Sequence, residues 1–257
     1  MVEPRRFDDD APTRRVRTQH ALQRAIGRVV APLWVGAAGL LLRVRFGYEI
    51  ENVDELRERF RPIRADRSTP LLVCANHLTL IDSFLIAWAL APTWRYVVDF
   101  DSLPWNTPER TNFAGNWRAS LLSYLAKCIP IVRGGRREDV GSVLDRIVYL
   151  LSRGELALLF PEGGRSRSGR VDVESAAWGV GRVVAALPGC RVLCLYMRGR
   201  SQKTWSAFPA RGDRFRVELD CIEPKSDLRG LRRSRDLARQ IVMRLAKMEE
   251  AYFDGRQ

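Results

Sequence analysis

The sequence predicts an α/β fold: a mostly parallel central sheet flanked by helices, with an N-terminal amphipathic helical element ahead of it. Residues 70–76 (PLLVCAN), 156–160 (LALLF) and 191–197 (RVLCLYM) are short apolar runs that end in polar turns. That is the pattern of strands buried on both faces. Stretches with helical spacing stand between them, and alternating strands and helices build layered α/β sheets. A chain of 257 residues, 46% apolar and 28% charged, suits one substantial core.

The elements follow in order. Residues 1–18 are polar and charged and read as a mobile tail. A helical region at 21–42 is interrupted or kinked near Pro32. Residues 44–50 read as an edge strand and 57–68 as a charge-rich link to the core. After the strand at 70–76 come a helix at 81–90 that stops before Pro92, a strand at 94–100, a Pro- and Asn-bearing loop, a helix at 117–127 and a short strand at 129–132. Val140, Leu144, Ile147 and Leu151 line one face of a helix that Gly154 ends. The strand at 156–160 is followed by a helix at 175–187 and the strand at 191–197. Residues 214–222 alternate like a half-exposed strand, and Leu237, Ile241, Leu245, Met248 and Tyr252 line a last helix. The chain therefore divides into residues 1–46, a flexible basic N-terminus with its helical element, and residues 47–257, the folded domain.

The formal net charge of +13 and a pI near 10.3 favour anionic partners: an acidic lipid surface, a phosphorylated substrate or nucleic acid. Only Lys127, Lys203, Lys225 and Lys247 are lysines. Arginine forks match phosphate oxygens, although a general bias toward arginine explains the same excess. Tryptophans such as Trp34, Trp88 and Trp178 sit in apolar stretches rather than among exposed basic residues, so nucleic acid is not expected as a partner. The five cysteines form no CxxC pair and there are two histidines, so no metal site is expected and the thiols read as buried and reduced.

The uncharged run at 29–42 has 14 residues, fewer than the roughly 17–25 that span a bilayer. Arg14, Arg15, Arg17, Arg24 and Arg28 precede it, Arg43 and Arg45 follow, and no acidic residue lies between Ala11 and Tyr48. Such a helix lies in a headgroup layer, each arginine adding about 1 kcal/mol of attraction to anionic lipid; a buried core helix is the other reading. Asp8, Asp9 and Asp10 argue against a signal or transit peptide.

Ligand sites in open α/β sheets form at the carboxyl ends of strands. Three polar clusters fall there: NHLTLID at 76–82, RGGRR at 133–137 and FPEGGRSRSG at 160–169. Parallel strands would bring all three to one edge. Asp82 can return to the His77 ring and leave its other nitrogen free as a base; alternatively Asn76 and Asp82 cap the helix near Ile81. Gly163, Gly164, Arg165 and Arg167 suit a phosphate cradle, with Glu162 orienting a hydroxyl or an arginine, or else form a solvated loop. Arg133 and Arg136 either add to that pocket or are solvated. There is no GxSxG elbow, so a base without an enzyme nucleophile points to direct activation of a substrate hydroxyl.

Asn76-His77-x4-Asp82, Phe160-Pro161-Glu162-Gly163 followed by Arg165 and Ser166, and Arg133 after Ile131 and Val132 together resemble the signature of the glycerolipid acyltransferases over residues 48–222. The resemblance implies that His77 is the catalytic base and Asp82 its orienting partner. Asn76, Arg133, Glu162, Gly163, Gly164 and Arg165 are implied to bind substrate, with an acyl-coenzyme A or acyl carrier protein thioester as co-substrate and neither metal nor cofactor. It further implies that residues 47–257 form an acyltransferase domain on the cytoplasmic face of a membrane, peripheral or monotopic. The implied acceptor is a lysophospholipid, 1-acylglycerol-3-phosphate, giving phosphatidic acid. The alternatives are another lysolipid acceptor, or a non-enzymatic basic protein binding anionic lipid or nucleic acid. The sequence departs from the family pattern at Lys127 or Cys128, where a glycine opens the second motif, at Gly164, where a threonine is usual, and at Cys194, in place of a proline in the fourth motif.

Overall fold

The computed structural model describes residues 12–112, 115–132 and 134–255. Residues 1–11 of the expected tail lie outside these, and the rest of it is helical from Arg14. α1 (Arg14–Leu40) runs on through Pro32 and ends in a π-helical turn at Leu41–Arg45. β1 (Glu49–Ile50) and α2 (Val53–Ala65) lead to β2 (Leu71–Ala75). Then come α3 (Asp82–Leu90), α4 (Thr93–Val98), β3 (Trp105–Asn106), α5 (Trp117–Leu125), α6 (Arg137–Ser152) and β4 (Ala157–Leu159). α7 (Trp178–Ala186), β5 (Arg191–Gly199), β6 (Arg214–Ile222) and α8 (Gly230–Asp254) complete the chain.

The sheet has the order β1-β6-β5-β2-β4-β3. Every pairing is parallel except β5 with β6, so the mostly parallel sheet is as the sequence predicts. Its central strands bury both faces in strict alternation. Leu72, Cys74, Val192, Cys194 and Tyr196 pack toward α6, α7 and α8. Leu71, Val73, Ala75, Leu193 and Leu195 pack toward α2 and α3. A third cluster, with Ala31, Val35, Tyr96 and Phe100, holds α1 to α4.

Four elements differ from the sequence reading. Residues 93–98 are helical, not a strand: Pro92 starts the helix, and Tyr96 is drawn back onto α3, its hydroxyl donating to Ala87 O at 2.6 Å. The edge strand is Trp105–Asn106, and residues 129–132 contribute only an isolated bridge at Ile131, next to another at Cys128, because Pro130 lacks the N–H a ladder needs. The link at 57–68 is largely α2, which buries Leu56 and Phe60. Within 44–50 only Glu49 and Ile50 are extended.

Candidate active site

β2 and β4 are neighbours in register, Cys74 opposite Leu159, so the turns after them leave the sheet side by side. β4 and β3 lie on one side of β2 and β5 on the other, a reversal whose crevice is where such sheets bind ligands. The main-chain N–H of Ser166 donates to His77 O at 2.9 Å, tying the two turns together.

His77 Nδ1 lies 2.9 Å from Asp82 Oδ2. The same oxygen accepts from the main-chain N–H of Leu78 at 2.6 Å and of Thr79 at 2.8 Å, and the Thr79 hydroxyl donates to Oδ1. A carboxylate so placed accepts from the ring, so Nδ1 carries the hydrogen and Nε2 keeps a lone pair. The imidazole lies flat on Phe160, centroids 3.9 Å and planes 17° apart. Capping does not explain Asp82: it bonds the N–H groups upstream of α3, and the residue at the helix cap, Ile81, makes no side-chain cap.

Asn76, expected to bind substrate, has its amide engaged elsewhere: Nδ2 donates to Met197 O at 3.0 Å and Oδ1 accepts from Met197 N at 2.8 Å. It fastens the turn to β5. Glu162 is buried, with Oε2 accepting from Asp172 N at 3.2 Å and Oε1 without a partner among the described residues. Burial pushes its carboxyl up to about 7, against the pull of the Asp172 and His77 main-chain N–H groups. Gly163 has φ +68, the left-handed region that favours glycine; Gly164 is half-buried beside it. Arg165 sits 4.9 Å over the Trp205 ring. Arg133 lies outside the described residues. Arg136 is exposed and pairs with Glu138 at 2.6 Å; among the described residues, the clusters at 76–82 and 160–169 are the ones brought together.

An apolar cavity of about 330 Å³ opens beside His77, within the range of small-ligand sites. Ile81, Phe84 and Trp88 form one wall, Leu122 and Ala126 another, and Trp34, Val35, Ala38, Gly39 and Leu42 of α1 a third. Among the described residues, no group of three His, Cys, Asp or Glu side chains gathers to hold a metal.

The family model for Acyltransferase matches residues 48–198. The chain belongs to the Acyltransferase family. A relative from Dictyostelium discoideum, Taffazin, is 32% identical over 117 residues, 45% of this chain and 38% of that protein. The aligned stretch thus spans well under two thirds of that relative's length.

Two parts of the site carry no sequence motif. One is the loop after β5, where Trp205 and Phe208 stand. Ser206 N donates to Leu78 O and Leu80 N to Ala207 O, and Phe208 lines the cavity. An aromatic pair in a polar loop beyond a strand's carboxyl end was the available signal. The other is the fastening of α1. Lys127 has φ +56, so it is the residue in the glycine's place. Its buried Nζ donates to Leu103 O at 2.8 Å and lies 3.2 Å from Glu155 Oε2. Glu155 also accepts from Trp105 Nε1 at 2.6 Å and from Arg24 Nη1 of α1 at 2.7 Å. Burial lowers the Lys127 ammonium to about 8, against the pull of Glu155.

With its terminal turn, α1 forms a helix of 32 residues, long and apolar enough by length and composition to cross a membrane. The 14-residue run alone understated it, because small and polar residues around the run extend the apolar helix. One stripe is buried: His20, Gln23, Gly27, Ala31 and Val35. Another is exposed: Leu22, Ile26, Val29, Leu33, Leu40 and Val44.

Proposed function

We infer that the protein transfers a fatty acyl group from an acyl thioester to the hydroxyl of a lysophospholipid, 1-acylglycerol-3-phosphate being the acceptor that best suits the site, giving phosphatidic acid. One observation carries this reading: an imidazole held at Nδ1 by a carboxylate borders an apolar cavity in a chain of the Acyltransferase family. His77 Nε2 takes the proton of the acceptor hydroxyl. The oxygen attacks the thioester carbonyl carbon, the tetrahedral intermediate collapses, the C–S bond breaks, and the thiolate leaves with the proton from His77. The cavity receives the acyl chain. Arg165, beside Trp205, receives the phosphate, and an acyl-coenzyme A or acyl carrier protein supplies the thioester.

α1 supports a surface-lying membrane topology. Its buried stripe runs from His20 to Leu42, so a perpendicular crossing would drag α4 and α5 into the hydrocarbon. The helix instead lies along the surface with its exposed leucines and valines in the acyl layer and its arginines at the headgroups. The domain faces the cytoplasm, where its five free cysteines stay reduced.

The test is thiol release from acyl-coenzyme A across a panel of lysophospholipids, with products identified. The highest kcat/KM is expected with 1-acylglycerol-3-phosphate. A faster lysophospholipid would move the acceptor assignment; no release with any acceptor would refute the reaction.

A further inference from the structure

We propose that Arg198 and Glu249, neither of which lines the cavity, are positioning residues that set Arg165 in place; this rests on the reading of Arg165 as the phosphate ligand. Two loops carry the parts concerned: 163–172 with Arg165, and 200–209 with Trp205. They meet main chain to main chain at Gly169, where an added Cβ would lie 2.4 Å from Lys203 O. Thr204 Oγ1 also donates to Arg167 O at 2.7 Å.

Arg198, at the end of β5, is buried between the loops. Nη1 donates to Gly169 O, Nη2 to Lys203 O at 3.0 Å and Nε to Gln202 O at 3.2 Å. One planar cation thus fixes the separation of both loops, which a flexible ammonium with a single point charge would not reproduce. Its charge is met by Glu249 of α8, whose Oε1 lies 3.7 Å from Nη1 and accepts from the Tyr196 hydroxyl at 3.1 Å. Glu249 Oε2 accepts from Val171 N at 3.0 Å and lies 3.3 Å from Arg170 Nε. Phe253 of α8 packs against both guanidinium groups, 4.0 Å from Arg170 and 5.0 Å from Arg198.

The network ends at the reacting turn, because the same loop donates Ser166 N to His77 O. α8 lies beyond the stretch that matches the family model, residues 48–198. The acceptor side of the site therefore depends on a C-terminal helix that the family match does not include.

The experiment compares Arg198→Lys, Glu249→Gln and Arg165→Ala, singly and with Arg198→Lys/Arg165→Ala combined. It measures KM for 1-acylglycerol-3-phosphate and for acyl-coenzyme A, and hydrogen exchange across 163–172 and 200–206. Arg198→Lys should raise the acceptor KM about tenfold, in the range of coupling between contacting residues, with the donor KM within about twofold. The double variant should add nothing to Arg165→Ala, and exchange in both loops should quicken. Unchanged exchange, equal rises in both KM values, or additive effects would overturn the clamp. An acceptor KM indifferent to Arg165→Ala alone would instead overturn the phosphate reading, whatever the exchange data show. Glu249→Gln keeps the shape of the site and serves if Arg198→Lys does not fold.

Discussion

Asp82 Oδ2 lies 2.9 Å from His77 Nδ1 while accepting from the main-chain N–H groups of Leu78 and Thr79. One carboxylate oxygen thus shapes the turn and orients the ring. An amide oxygen in the place of Oδ2 carries no charge to hold these donors, and its N–H₂ would face the Thr79 hydroxyl that now donates to Oδ1. Asp82→Asn should therefore lower kcat by about 10²–10⁴, the usual worth of a positioned base, with the acyl-donor KM little changed. Steady-state kinetics on the purified variant checks this, and a kcat within a few-fold of the parent would contradict it.

Glu162 and His20 make stability depend on pH with opposite signs. Burial holds the Glu162 carboxyl at about 7 instead of 4.5. The folded state keeps that proton longer than the unfolded chain, so its contribution is complete below 4.5 and is lost as pH rises through 7, by roughly 3 kcal/mol at most. Burial beside Arg146 holds His20 at about 4 instead of 6.5, so stability is lost as pH falls from 6.5 to 4. Glu162→Gln removes the first effect alone. The variant should gain stability relative to the parent between pH 5 and pH 8, read by urea titration. A difference that does not vary with pH would contradict the assignment.

The two faces of α1 do different work. Val29 and Leu33 are exposed, and Val29→Glu with Leu33→Glu should abolish sedimentation with anionic vesicles while sparing turnover of detergent-dispersed substrate. Ala38 lines the cavity, and Ala38→Leu should shift donor preference from palmitoyl- toward decanoyl-coenzyme A. An unchanged ratio of kcat/KM for the two donors would place the acyl chain elsewhere.

Glu155 meets Lys127, Trp105 and Arg24 at once. Glu155→Ala leaves a buried ammonium without its partner, and should destabilise the fold by about 3–5 kcal/mol. Thermal denaturation measures the loss; a change below about 1 kcal/mol would show that the Leu103 carbonyl suffices.

What the sequence made legible depended on how local the cause was. β2, β4 and β5 were plain because burial on both faces leaves an unbroken apolar run. His77 and Asp82 were plain because five residues close their contact within one turn. α4 runs against local preference, because Tyr96, Val97 and Val98 favour strands and packing on Ala87 and α1 makes them helical. Trp205 and Phe208 join the site through hydrogen bonds to Leu78 and Leu80, more than a hundred residues away, which no spacing rule reports. Asn76 matched its motif but serves β5 through Met197, a role visible only once the two strands are adjacent.

The central claim is that one imidazole removes the acceptor's proton. Turnover of acyl-coenzyme A with 1-acylglycerol-3-phosphate by His77→Ala tests it most directly, with melting temperature and vesicle binding measured alongside. A loss of about 10²–10⁴ in kcat, with folding and vesicle binding retained, is the predicted result. Near-parental turnover by that variant would contradict the mechanism.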